Sequence, residues 1–142
     1  MTTSDPAPIP PDGLEIVRRF AVALDREDYP AARALVDAGC VYSIRGRTLC
    51  GPDAIVGSYE SNGDAAAQKF DAIAYGSSVA PGTDGWIVIT FTDRIRHAGE
   101  SLEHVCEQWV RLDAQARIVR IEHHDLPGER ERLEAFKRSV GL

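Results

Sequence analysis

The chain has 142 residues, 44% of them apolar and 27% charged, with a formal net charge of −6. That length suits one domain with a genuine core, and the composition is that of an ordinary soluble globular protein. The acidic balance argues against a nucleic-acid partner, because phosphate binding needs a concentrated basic surface, and no run is long and apolar enough to imply a membrane span.

Residues 1–12, MTTSDPAPIPPD, carry four prolines and lack the basic and apolar regions of a signal peptide. They read as a disordered or extended lead-in to a single domain over 13–142. The first regular element is GLEIVRRFAVALDRED, in which Leu14, Val17, Phe20, Ala21 and Leu24 recur at helical spacing. Asp28 can cap a short second helix with Pro30 in its first turn, Leu35 and Val36 packing inward and Gly39 ending it. CVYSIRG follows as a strand, and GPDAIVGSYES as a third helix with Ile55 and Tyr59 one turn apart.

From residue 69 the period changes to two. KFDAIAYGSSV, GWIVITFTDRIRH, ESLEHVCEQWVRL and RIVRIEHHD are four strand-like runs joined by short, turn-rich links, which make antiparallel hairpins. PGERERLEAFKRSV closes the chain as a helix with a Leu133, Phe136 and Val140 stripe, its charged residues on a solvated face. Helices first and a meander second is an α+β pattern. Cys40, Cys50 and Cys106 have no paired spacing and fit reduced, mostly buried thiols in a cytoplasmic protein.

Alternation splits each strand into two faces. The apolar set Leu102, Cys106, Val110 and Leu112 carries His104 and Gln108 inward; Val119 and Ile121 carry His123 and Asp125, leaving His124 outside. Asp93 falls among Ile87, Ile89, Phe91 and Ile95. With a four-residue loop over residues 113–116, His104 comes opposite Asp125 and Cys106 opposite His123. Facing Cβ atoms start about 5 Å apart, within reach of a His–Asp hydrogen bond. Polar groups gathered on an inner face are costly unless they pair with one another or with water, and a part-wet pocket for a small apolar ligand accounts for them.

The order of elements, with ALVDAGCVY, GPDAIVGSY and VRLDAQARIVRIEHHD as carrying segments, resembles the nuclear-transport-factor-2-like superfamily over residues 13–138. The resemblance is closest to its SnoaL-like polyketide cyclase and ketosteroid-isomerase branches. It implies a cone-shaped, curved, mixed or antiparallel sheet packed on N-terminal helices around a deep pocket, with a C-terminal helix, and a homodimer. In the isomerase pattern the base Asp falls at Ser43, the oxyanion Tyr at Phe20 and the protonated Asp at Gln108; only Tyr59 matches, as a supporting tyrosine. The SnoaL-like pattern places its acid–base Asp at Asp125 and its His at His104.

The resemblance thus implies cofactor-free acid–base chemistry on an apolar carbonyl compound, of isomerase, cyclase or dehydratase type. Asp125 would be the base assisted by His104, with His123, Gln108, Tyr59 and Asp93 toward the substrate. The competing reading of the pair is a structural hydrogen bond, with Asp125 capping the last helix. A metal held by His104, His123 and Asp125 is a further alternative, but the families resembled work without metal and none is expected. Cys106 reads as a buried thiol. A non-catalytic module that binds a ligand in the pocket, or a protein on the sheet, is the rival function.

Overall fold

The computed structural model describes residues 8–142. The greater part of the lead-in, residues 1–7, lies outside the described residues. Of the rest, Ile9 packs against the core and Pro10 accepts a 2.8 Å hydrogen bond from the Gly13 amide, which starts the first helix.

Helix α1, Gly13–Asp25, buries Val17, Phe20, Ala21 and Leu24 as the spacing predicts. Helix α2 is a single turn, Tyr29–Arg33, with Pro30 in its first turn and the Asp28 carboxylate accepting from the Ala31 amide. It ends before Gly39. Val36 already begins β1, Val36–Ile44, and Gly39 lies inside that strand. Strand β2, Arg47–Cys50, was not read from the sequence; it returns antiparallel to β1 through the two-residue turn Arg45–Gly46. Both turn residues have positive φ, 46° and 78°, which is the hairpin turn whose twist matches the strands. Helix α3 runs over Pro52–Lys69, and Ile55 and Val56 are its buried residues.

Four strands follow: β3 (Ala72–Pro81), β4 (Ile87–His97), β5 (Glu100–Leu112) and β6 (Ile118–Asp125). Helix α4, Glu129–Ser139, closes the chain. The strands form one curved, unclosed mixed sheet in the order β2-β1-β6-β5-β4-β3, with β1 parallel to β6 and every other pair antiparallel. Helix α1 crosses the concave face against β3 and β4. The core lies between, filled by Phe20, Ile55, Ile87, Ile89, Ile118 and Ile121, each no more than 1% exposed. Burying a side chain of that size contributes about 1.5–3 kcal/mol.

Helix α4 solves a local problem. β6 pairs with β5 only from Cys106 onward, so the first half of β5 has no strand on that side. The first turn of α4 takes the missing strand's place: Glu129 accepts from the Val105 amide at 2.7 Å, and Arg132 donates to the Glu103 carbonyl at 3.2 Å. Glu129 is buried and also bonds Arg132. Glu129→Ala strands the Val105 amide and is expected to cost about 1–3 kcal/mol, read as a lower urea midpoint at unchanged slope. An unchanged midpoint would show that water replaces the carboxylate at no cost.

Candidate functional site on the concave face

The β5–β6 register sets the site. Cys106 lies opposite Asp125, Gln108 opposite His123 and Val110 opposite Ile121, two residues from the expected alignment. Two one-residue offsets produce this. The Asp113 amide donates to the Arg117 carbonyl, so the loop holds five residues, and Leu112 pairs with Ile118. Val119 is then bulged, because Arg111 pairs with Arg120. The first offset alone would turn His123 outward; the bulge turns it back. Ile118 and Ile121 are consequently both buried, where strict alternation would have put Ile118 outside.

Across the sheet the inward residues form rows. Tyr75, Asp93 and His104 make one; Ser77, Phe91, Cys106 and Asp125 the next; Val79, Ile89, Gln108 and His123 a third. Deeper residues are apolar, and Phe20, Tyr42, Ile89 and Val110 fill the base at no more than 2% exposure. Tyr75, Ser77, Phe91, Asp93, Cys106 and Asp125 stay part-exposed, so the accessible surface is an aromatic floor, Phe91, within a polar ring.

The expected direct pair does not form, because the register puts Cys106 opposite Asp125. Asp125 instead accepts from Arg45 Nε and Nη2 at 2.8 Å each, and from His123 Nε2 at 2.9 Å. The Arg45 hydrogen bonds hold its carboxyl far below the usual range, against the effect of burial. A carboxylate so occupied is an anchor and not a base held ready near neutrality.

Behind it runs a chain of satisfied groups. Gln108 Nε2 donates to His123 Nδ1 at 3.2 Å and to the Tyr42 hydroxyl at 2.9 Å, and the Tyr59 hydroxyl donates to Gln108 Oε1. His123 Nδ1 therefore accepts while Nε2–H donates, which fixes the neutral tautomer. Burial lowers the His123 pKa, pushes Tyr42 up to about 12 and lifts Tyr59 well above its ordinary value, so both phenols keep their protons.

His104 belongs to a different group. Its Nδ1 stands 3.9 Å from Asp93 Oδ2, and its buried Nε2 has no partner. Beyond Asp93, Asp25 at the end of α1 accepts a 2.5 Å hydrogen bond from the Ser77 hydroxyl. Burial raises the Asp25 pKa, and the charge on Asp93 adds to the effect.

Two of the expected contacts are corrected. Phe20 has no exposed surface and lies edge-on to Tyr59, so it supports the wall and touches no ligand. Ser43 pairs beside Glu122 on the outer face, where it lines a notch of about 280 Å³ with Arg47, Thr48 and His124. His124 faces outward, its ring 4.8 Å from Trp109. A second hollow, about 530 Å³, lies over α1 and α2, lined by Arg18, Arg19, Arg26, Val22 and Leu35. Cys50 is exposed, unlike Cys40, and burial pushes the Cys106 thiol up to about 12. Among the described residues no group of acidic, histidine and cysteine side chains has metal-holding geometry, and no helix is long and apolar enough to cross a membrane. Arg45 and Asp25 were missed. The turn signal around Arg45–Gly46 was available in the sequence, but the 80-residue separation of Arg45 from Asp125 was not bridged by any pattern.

No family model matches the chain, and no curated protein matches it. Solved structures do. An NTF2-like protein of unknown function from Exiguobacterium sp. 255-15 aligns over 79% of this chain and 98% of its own, at 14% identity and TM-score 0.62. A candidate polyketide cyclase from Pseudomonas putida KT2440 aligns over 82% and 93%, at 14% identity and TM-score 0.62. An LEH-like epoxide hydrolase of M. tuberculosis aligns over 95% and 100%, at 14% identity and TM-score 0.63. The chain therefore has the nuclear-transport-factor-2-like fold, an α+β cone that also carries small-molecule enzymes.

The Asp125 anchor has a pH signature. Its folded pKa lies below the unfolded value, so its contribution is complete above about pH 4 and is lost as pH falls below that. His123 acts in the same direction from about pH 6.5 downward, since its folded pKa is also lowered and the unfolded chain takes up the proton first. Arg45→Met removes most of the stabilisation contributed by the Asp125 carboxylate. The fall in urea midpoint between about pH 5 and pH 2 is expected to be smaller in the variant than in the parent; equal falls would show the ion pair to be energetically silent.

Proposed function

We propose that the protein is a cofactor-free acid–base enzyme acting on a small carbonyl compound at the concave face. His104 is the proton acceptor and Asp93 its orienting carboxylate. The observation that carries the reading is the His104 ring nitrogen, Nε2, which is buried beside a carboxylate's partner nitrogen and bonded to nothing. Such a vacancy costs about 1–3 kcal/mol in a resting structure, and a substrate proton would fill it. Gln108, Tyr59 and His123 form the fixed wall against which the substrate oxygen rests, and Phe91 receives its apolar part.

This reading shifts the base from Asp125, whose oxygens are all engaged, to the next row. Proton abstraction next to a carbonyl, followed by return of the proton at another atom, is the step shared by isomerases, cyclases and dehydratases. The likeness to a candidate polyketide cyclase and an epoxide hydrolase supports a small-molecule enzyme at the level of the fold. A second reading has its own observation: the Arg45–Asp125–His123–Gln108–Tyr42 chain has its bonds satisfied internally, as expected of a rigid wall in a binding module.

One experiment separates the two. Apolar ketones are incubated with the protein in D₂O, and loss of the proton next to the carbonyl is followed by NMR. The enzyme reading expects exchange above background, slowed about 100-fold or more in His104→Gln, with the urea midpoint of the variant close to the parent's. Binding without exchange supports the module, and exchange untouched in His104→Gln removes His104 from the mechanism.

A further inference from the structure

The two sides of the concave face are charged differently. On the β6 side the carboxylate has its cation: Asp125 is held by Arg45. On the other side lies Asp25, whose pKa is raised by burial and further by the charge on Asp93. Among the described residues neither has a lysine or arginine partner; Asp25 has the Ser77 hydroxyl, and Asp93 only the imidazole of His104 at 3.9 Å. Asp93 keeps a third of its side chain in solvent, which makes its charge tolerable without a partner.

A second observation marks the same place as a site for a ligand. His104 is 9% exposed, and its Nε2 is orphaned although the ring stands next to Asp93. The surroundings are aromatic. Tyr75 lies beside Asp93 in the β3–β4 ladder, and Phe91 lies beside Ser77 one row away. The hydroxyls of Tyr29 and Tyr75 both close on Gly63, 3.2 and 3.7 Å from where a side chain there would begin. Glu27 and Asp64 add negative charge around both tyrosines.

Unpaired carboxylates, aromatic faces and an unsatisfied imidazole nitrogen together describe a receptor for a cation with N–H groups. We infer that the ligand carries a protonated amine, seated between Asp25 and Asp93, on an apolar body that lies against Phe91. A primary ammonium offers three donors; two of them match the free Asp25 oxygen and the Asp93 carboxylate, which leaves His104 Nε2 to the carbonyl part of the ligand. The faces of Phe91 and Tyr75 favour the same charge through their quadrupoles. An anionic ligand is repelled at this side. The inference rests on the concave face being the ligand site, and it narrows the carbonyl compound proposed above to one that bears a basic amine.

The test uses three isosteric probes on the intact protein at neutral pH: benzylamine as its ammonium ion, benzyl alcohol and benzoate. Dissociation constants come from titrations followed by backbone amide shifts, which also locate the site. Benzylammonium is expected to bind at least about tenfold more tightly than benzyl alcohol, with benzoate weakest and the shifts centred on β3, β4 and the end of α1. Asp25→Asn and Asp93→Asn are each expected to bring the ammonium-to-alcohol ratio toward one. Equal binding of ammonium and alcohol by the parent protein overturns the inference, even if neither variant folds. So does a preference that survives both substitutions, or one that maps elsewhere. The underlying reading fails separately: His104-dependent exchange of neutral ketones without ammonium preference keeps the enzyme and removes the amine, whereas ammonium preference without exchange keeps the ligand class and removes the enzyme.

Discussion

The fit of β6 against β5 depends on two irregularities that cancel. A five-residue loop shifts the strand by one position, which alone would send His123 and Asp125 to the outer face. The bulge at Val119 adds a second shift and restores the face, two residues further along. Almost everything on the concave side follows. Gln108 meets His123 and links two buried phenols to it, Asp125 comes within reach of the β1–β2 turn, and His104 is left beside Asp93.

That arrangement divides the concave face by how its polar groups are satisfied. The wall from Arg45 to Tyr42 is closed: each group bonds the next, and burial keeps the phenols protonated and the imidazole neutral. Groups fixed in this way hold the fold of this side rigid. The opposite side, Asp25, Asp93 and His104, is unfinished. Asp25 has only the Ser77 hydroxyl, Asp93 keeps a third of its side chain in solvent, and the buried His104 nitrogen without a partner lowers the stability of the resting protein.

The elements were legible where a single periodicity governs them. Val17, Phe20, Ala21 and Leu24 mark α1 without ambiguity, and the long β-strands announce themselves by alternation, as does the inward direction of His104, Gln108 and Asp93. Short elements were not. The four residues of β2 are too few to show a period, and Gly39 looked like a helix end because α2 is a single turn with no stripe of its own. At the site, parity survived while register did not. Alternation gives the face of a residue, whereas its partner depends on loop length and on bulges, and Val119 carries no mark that distinguishes it from its neighbours. Arg45 and Asp25 were invisible for a further reason: each meets its partner across 50 or more residues, Asp125 and Ser77 respectively, through the curvature of the sheet.

Arg45 shows how the closed wall is held in place. It is a non-glycine residue in the left-handed region, with φ of 46°, at the first position of a two-residue turn. L-residues reach that conformation at a cost of about 1–2 kcal/mol, and glycine, as at the next position, would avoid it. The cost is borne because the turn aims the guanidinium fork at Asp125, two hydrogen bonds of 2.8 Å on one carboxylate. Planar, bidentate geometry of that kind orients as well as attracts. A lysine at the same position would keep the charge and lose the fork, leaving the Asp125 carboxylate less fixed as the acceptor that sets the His123 tautomer. The tip of the β1–β2 hairpin, beyond the β1–β6 ladder, is therefore tied to the end of β6 by this side chain, and the strain at that residue is the local expense of a wall that does not move.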